Sequence, residues 1–158
     1  DYASGDTDPA DDKVQTFDPL FTFGHAFQGY QDVFAWKNGH ALKIAASGTP
    51  ALGTILALDY HYFRTAQARD AWYGATGAAL ARENAGLSGN EVGHELDLHM
   101  RTPVRGALKL WFGVSHFFAS SYVRAKTGGK DAEAARTTME AARAAYQKAL
   151  SDAAGSSK

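Results

Sequence analysis

The amino-acid sequence predicts an all-β fold, an antiparallel sheet of four to five strands that is followed by a C-terminal α-helix. Three observations lead to this prediction. Four segments alternate between apolar and polar residues with period two, turn-forming residues join these segments in pairs, and an alanine-rich segment with helical spacing ends the chain. The 158 residues are 45% hydrophobic, which is too apolar a composition for a disordered chain.

The alternating segments are residues 40–47, 54–64, 91–101 and 106–122. Residues 48–53 and 102–105 connect them in pairs and contain glycine or proline, as β-hairpin turns do. The connection over residues 65–90 is much longer. Short turns at one end of a sheet and long loops at the other are typical of outer-membrane β-barrels, whose tilted strands need about 9–11 residues to span the bilayer. The pattern fits a sector of such a barrel.

The two faces of these strands differ in chemistry, and each predicts a different contact. One face is apolar, and we predict that it contacts lipid through Leu42, Ile44, Leu56, Leu58, Leu96, Leu98, Leu108 and Leu110. Tyr60 and Tyr62 follow toward the long-loop end, as in an interfacial aromatic girdle. The other face predicts a water-filled lumen lined by Lys43, Asp59, His61, Glu95, Asp97, His99 and Lys109. A soluble antiparallel sheet with one hydrated face alternates identically, so the pattern alone leaves both folds open.

Composition excludes several classes of function. The chain has 16 Lys and Arg residues against 17 Asp and Glu, and this near-neutral balance argues against a nucleic-acid partner. The absence of cysteine excludes disulfide scaffolds, cysteine-ligated metals and thiol catalysis. No stretch approaches the length of about 18 apolar residues that a transmembrane helix needs.

The polar face also raises the question of metal binding and catalysis. Glu95, Asp97 and His99 share that face and could ligate a metal together with His61 from a neighbouring strand. Asp59 and His61 resemble an acid–base pair, but no nucleophile motif accompanies them. Scattered histidines on strands are usually hydrogen-bonded surface groups. We therefore predict no enzyme activity, no metal and no cofactor, and interpret the mixed charges as a lining that contacts a charged solute or pairs internally.

The two ends of the sheet region have different characters. Residues 14–36 are rich in aromatic residues without clean periodicity and predict a long structured loop with a helical turn near residues 28–36. Residues 131–152 are rich in alanine, and Met139, Ala142, Tyr146 and Leu150 recur at helical spacing. We therefore divide the chain into a barrel sector with long loops over residues 1–130 and an amphipathic helix with a frayed tail over residues 131–158.

Several short segments carry a resemblance to a known family. They are Tyr2-Ala3-Ser4-Gly5-Asp6, Thr16-Phe17-Asp18-Pro19-Leu20-Phe21, Gly24-His25, Leu58-Asp59-Tyr60-His61, Asp70-Ala71-Trp72-Tyr73, Val92-Gly93-His94-Glu95-Leu96-Asp97-Leu98 and Gly113-Val114-Ser115-His116-Phe117-Phe118. In this order, over roughly residues 1–131, the chain resembles the C-terminal part of the alginate export family of bacterial outer-membrane β-barrels. The resemblance implies a barrel of many strands in the outer membrane, through which an anionic polysaccharide or another solute diffuses passively.

The resemblance also sets expectations about partners. The smallest membrane barrels have about eight strands, so we expect this chain to be one sector of a larger sheet or one subunit among several. Its expected partners are membrane lipid, the remainder of a barrel or other subunits, and an anionic polysaccharide. The family ends in a further apolar strand where this chain has the alanine-rich helix. An alternative function is therefore a non-transport structural or interaction subunit, derived from a barrel, that docks a partner through its C-terminal helix.

Overall fold

The structure is a computed structural model that describes residues 1–21, 27–82, 89–105 and 108–127. Its elements are β1 (Tyr2–Ala3), β2 (Gly39–Ala51), β3 (Thr54–Thr65), β4 (Trp72–Tyr73), β5 (Ala79–Ala81), β6 (Glu91–Arg105), β7 (Leu108–Ala119) and α1 (Ser121–Thr127). The predicted fold class, a mostly antiparallel β structure with a helix near the C-terminus, is confirmed. The predicted helix of residues 131–152 lies outside the described residues.

The strands form one large and one small sheet. The large sheet has five strands in the order β1-β2-β3-β6-β7, and every neighbouring pair is antiparallel. Within the described residues this sheet is not closed, because β1 and β7 lie at its two edges. The small sheet pairs β4 with β5 inside the long connection between β3 and β6. An open antiparallel sheet of this kind is consistent with a barrel sector.

The strand register aligns the apolar residues into one continuous band. Leu58 of β3 pairs with Leu98 of β6, which in turn pairs with Val114 of β7. The eight aliphatic residues predicted to contact lipid are all exposed, from 40% for Leu96 to 60% for Ile44. The opposite face carries the polar residues, since side chains alternate between the two faces of a strand.

The hairpin turns are tighter than the sequence predicts. β2 continues to Ala51, so that only Leu52 and Gly53 form its turn, and Gly53 has a φ of 74° that glycine adopts without strain. Residues 102–105, predicted to be a turn, belong to β6. Pro103 has no backbone N–H to donate, and the register shift between Pro103 and Arg105 accommodates it within a paired strand.

The predicted fourth strand also ends earlier than expected. β7 ends at Ala119, and the following residues form the helix α1 rather than continuing to residue 122. Ser120 begins this helix as its N-cap, because its side-chain oxygen accepts a hydrogen bond from the Val123 N–H at 3.3 Å. The Arg124 N–H donates to the Ser120 carbonyl at 3.0 Å. No residue in the described part of 28–36 is helical, so the predicted helical turn there is also wrong.

The apolar core of the described chain lies at the long-loop end of the sheet. It consists of Phe34, Phe63, Trp72, Val92, Tyr122 and Val123, contributed by the loop before β2, by β3, β4, β6 and α1. The rings of Phe34 and Phe63 stack with centroids 4.8 Å apart. In the middle of the sheet, by contrast, the apolar residues lie on the exposed face and the polar residues on the opposite face. No helix among the described residues has the length and hydropathy of a membrane span.

Candidate functional site

Strand pairing aligns the polar side chains in rows across one face of the large sheet, called here the polar face. The pairing of β3 with β6 brings together residues that the sequence could not place side by side. Of the seven residues predicted to line a lumen, six fall in three neighbouring rows, namely Lys43 with His61 and Glu95, Asp59 with Asp97, and His99. Lys109 lies nearer the short turn, opposite Pro103. Their role as a lumen lining stays a prediction.

The charged groups of the polar face pair with one another. Lys43 Nζ lies 2.8 Å from Asp59 Oδ2, and His61 Nε2 lies 3.5 Å from Asp97 Oδ2. Asp97 also contacts the hydroxyl of Ser115. These partners are needed, because burying an uncompensated carboxylate costs several kcal/mol in a protein interior.

A loop covers this face. Residues 27–38, called here the strap, cross the polar face in front of β6 and β7. The Gln31 N–H donates to Glu95 Oε1 at 2.9 Å, and the Gln31 side-chain amide donates to the Ser115 carbonyl at 3.1 Å. Gly29 has a φ of 84°, and a Cβ at this position would lie 2.4 Å from Glu95 Oε1. Glu95 is consequently 0% exposed although it lies on the face predicted to be wet.

The strap is held to the long connection between β3 and β6. The Trp72 indole N–H donates to the Val33 carbonyl at 2.7 Å, and the Ala35 N–H donates to the Tyr73 carbonyl at 2.9 Å. Asn38 ends the strap with a left-handed φ of 46°, and its side-chain amide donates to the Ala71 carbonyl at 2.8 Å. These bonds are made to backbone atoms, so they fix the path of the strap over the sheet.

Asp70 joins the N-terminal segment to the same connection. Its fully buried carboxylate accepts hydrogen bonds from the Asp6 N–H at 2.9 Å and from the Thr16 hydroxyl at 2.5 Å. Tyr73 donates to it at 3.0 Å, and Arg82 contacts it at 3.2 Å. Burial, and next the Asp70 charge, raise the pKa of the Tyr73 hydroxyl. Sequence reasoning did not anticipate this hub, although Asp70 lies in one of the segments that carry the family resemblance.

An aromatic cluster occupies the short-turn end of the polar face. The Tyr30 ring reaches it from the strap and lies 5.5 Å from the ring centroids of both His99 and Trp111. Trp111 nevertheless remains 56% exposed. Arg101 pairs with Trp111 in the sheet register and is also exposed. The sequence contained these residues in its alternating pattern, but only the strap brings Tyr30 to them.

The structure gives no support for a metal centre on this face. Among the residues that the structure describes, no group of three or more His, Asp or Glu side chains is arranged to hold a metal ion. The Ser115 hydroxyl contacts both Asp97 and Glu95 Oε1, the latter at 3.1 Å. Asp97 also contacts His61, and Glu95 also contacts the strap. The available chemistry is that of ion pairs, hydrogen bonds and aromatic surfaces.

Comparison with known protein families gives a match. The model of the family described as alginate export matches residues 1–137, which is more than half of the chain. The matched range extends past residue 130, the boundary predicted between the barrel sector and the helix. No curated protein and no solved structure matches the chain.

Proposed function

Because this chain belongs to the alginate export family, a transport family of the outer membrane, we propose that it forms one sector of an outer-membrane β-barrel channel. The channel allows passive passage of an anionic polysaccharide or another solute. The remainder of the barrel, or other subunits, completes the wall, and membrane lipid surrounds it. The sector contributes no catalytic step to this function.

The observation that carries the proposal is the continuous exposed apolar band across β2, β3, β6 and β7. Ile44, Leu58 and Leu98 lie in this band and are each at least 43% exposed. A soluble monomer rarely exposes contiguous apolar patches larger than a few hundred Å². A barrel sector requires such a band, because its outer surface meets lipid chains. The charged side chains of the polar face, on the opposite side of the sheet, support the assignment of that face to the lumen.

The polar face is suited to passage rather than to tight binding. The paired carboxylates of Asp59 and Asp97 are buried and already have partners, so a solute does not have to displace them. The strap occupies part of the space in front of the sheet and narrows the path. Conduction requires contacts that are favourable enough for entry and weak enough for release, and a few exposed side chains on a fixed wall supply such contacts.

Conductance in planar bilayers tests this function with one pair of variants. The full-length protein should give discrete conductance and heat-modifiable migration on gels. Lys109→Glu should shift ion selectivity toward cations without preventing insertion, because Lys109 lies on the polar face. The contrasting change Leu98→Glu places the same charge on the apolar band beside Leu58 and should reduce the number of channels that insert.

Two results would overturn the proposal. A freely soluble, non-conducting protein would favour the alternative of an interaction subunit without transport. If Lys109→Glu blocked insertion while Leu98→Glu altered only selectivity, the two faces would be inverted.

A further inference from the structure

One of the three buried carboxyl groups of the polar face has no cationic partner. Lys43 Nζ lies 2.8 Å from Asp59 Oδ2. His61 Nε2 lies 3.5 Å from Asp97 Oδ2. Glu95 is fully buried, and none of the ion pairs in the described part of the chain involves it. Its Oε2 also has no hydrogen-bond partner among these residues. A negative charge on Glu95 would thus be buried without compensation, whereas a protonated carboxyl group carries no charge that needs a partner.

The hydroxyl of Ser115 indicates where a proton is held. It contacts both Glu95 Oε1, at 3.1 Å, and Asp97 Oδ1. A hydroxyl has one hydrogen to donate, so one of the two contacts needs a hydrogen that a carboxyl group supplies. Asp97 has the imidazole of His61 beside its other oxygen, whereas Glu95 has no such partner. The proton therefore belongs to Glu95, and Asp97 is the ionised member of the pair.

The strap is bound to this same carboxyl group. The Gln31 N–H donates to Glu95 Oε1 at 2.9 Å. A Cβ at Gly29 would lie 2.4 Å from Glu95 Oε1 and 2.6 Å from Oε2, so the strap backbone lies directly on the carboxyl group. No space for water remains between them. Glu95 can therefore be hydrated only after this part of the strap has moved away from the sheet.

We propose that the Glu95 carboxyl group is a proton-operated latch of the strap, which stays docked while Glu95 is protonated and is released when Glu95 ionises. An ionised carboxylate requires water or a cation, and the docked strap excludes the first while the polar face does not supply the second. Proton binding and docking are therefore linked, so the docked state is favoured at low pH and is lost as the pH rises. Because the strap narrows the path in front of the sheet, its release widens that path. This last consequence rests on the proposed channel function.

Other ionisable groups also surround Glu95. Those that the neighbouring elements contribute are Asp97 on β6, His61 and Asp59 on β3, Lys43 on β2, and Tyr30 and Asp32 on the strap. The residues of β7 nearest to it, Ser115 and Phe117, do not ionise in this range. Between about pH 7.5 and about pH 9, histidine is mostly neutral, aspartate stays ionised, and lysine and tyrosine stay mostly protonated. A change of the strap in this range is therefore assigned to the proton that Glu95 shares with Ser115 and Asp97.

Electron paramagnetic resonance of a nitroxide label on the strap tests the latch in the full-length protein, folded into lipid vesicles. The chain has no cysteine, so Phe27→Cys introduces a single attachment point, at a side chain that is 58% exposed and lies two residues before Gly29. The label should be largely immobile at the lower pH. Its ratio of mobile to immobile spectrum should rise about tenfold between about pH 7.5 and about pH 9, because the release of one proton changes this ratio by at most about tenfold per pH unit.

Three further variants locate the response. Glu95→Gln keeps an oxygen that accepts from the Gln31 N–H but cannot ionise, so a strap label in this variant should stay immobile at both pH values. Glu91→Gln removes an exposed carboxylate from the same strand and should leave the response of the strap label unchanged. A label at Leu52→Cys, in the turn after β2, should have the same mobility at both pH values.

The latch is refuted if the strap label has the same mobility at both pH values in the protein that retains Glu95. This result does not depend on whether any Glu95 variant folds. A pH response of equal size in Glu95→Gln would likewise show that another group controls the strap.

Planar-bilayer conductance separates the latch from the function on which its consequence rests. A protein that conducts while its strap label stays immobile at both pH values would refute the latch and leave the channel intact. A strap label that becomes mobile with pH only when Glu95 is present, in a protein that never conducts, would refute the channel and support the latch. If both hold, conductance should rise between the two pH values and should stay constant in Glu95→Gln.

Discussion

Placing an arginine in the middle of the apolar band tests the orientation of the sheet most directly. Leu58 is the fifth residue of β3 and is 43% exposed between Leu98 and Ala46 of the neighbouring strands. With a rise of about 3.3 Å per residue and a tilt of about 40°, Leu58 lies about 10 Å along the barrel axis from Thr54. This is close to the middle of an apolar band about 25 Å tall.

Leu58→Arg should therefore lower the free energy of unfolding in lipid vesicles by about 2–4 kcal/mol, the cost of a cation at the bilayer midplane. The measurement is a urea titration of the full-length protein in vesicles, followed by tryptophan fluorescence. Leu108→Arg provides the matched control, because Leu108 is the first residue of β7 and is similarly exposed, at 57%. Its position near the short turn predicts a cost of only about 0–1 kcal/mol. Equal costs at the two positions would refute the assignment of this face to lipid.

Two other perturbations address the strap and the Asp70 hub. Gly29→Ala should destabilise the protein by about 1–3 kcal/mol, because the new Cβ meets the Glu95 carboxylate and φ at this position is strained for alanine. Gly48→Ala is the control, because its Cβ would have no neighbour within 4 Å, and it should have a much smaller effect in the same urea titration. Tyr73 has a raised pKa in the folded state, so its contribution to stability is complete below its ordinary pKa of 10.0 and is lost as the pH rises through the folded value. Tyr73→Phe should remove this part of the alkaline destabilisation, and an unchanged stability profile above about pH 10 would contradict the contact with Asp70.

The sequence predicted the sheet well because the relevant information is local. Alternation of apolar and polar residues depends on neighbours two positions apart, and it located β2, β3, β6 and β7 and separated their faces. Pro103 led to the wrong prediction of a turn at residues 102–105, because proline is frequent in turns but is also tolerated where a strand is bulged. The helix α1 was missed because Tyr122 continues the apolar alternation of β7 beyond Ala119. The cap at Ser120 is a weaker feature of the sequence than that pattern.

The candidate site was harder to predict because it depends on contacts between distant residues. Gln31 and Glu95 are 64 residues apart, and no periodicity in residues 14–36 indicates that they meet. The sequence therefore identified the polar residues of the strands but not the loop that covers them. The short strands β4 and β5, of two and three residues, are below the length at which a pattern can be recognised. The Asp70 hub likewise joins Asp6 and Thr16 across more than 50 residues.

The strap also constrains the order in which the parts of the protein can fold. Its contacts are distributed over Phe63 of β3, Glu95 of β6, Ser115 of β7 and the connection that contains Trp72. A segment that precedes these strands in the chain therefore has no docking surface until the later strands have been synthesised and paired. Closing such long loops costs entropy that only the assembled sheet repays. Docking of the strap thus requires that the part of the sheet behind it is already paired, which makes it a late step of folding.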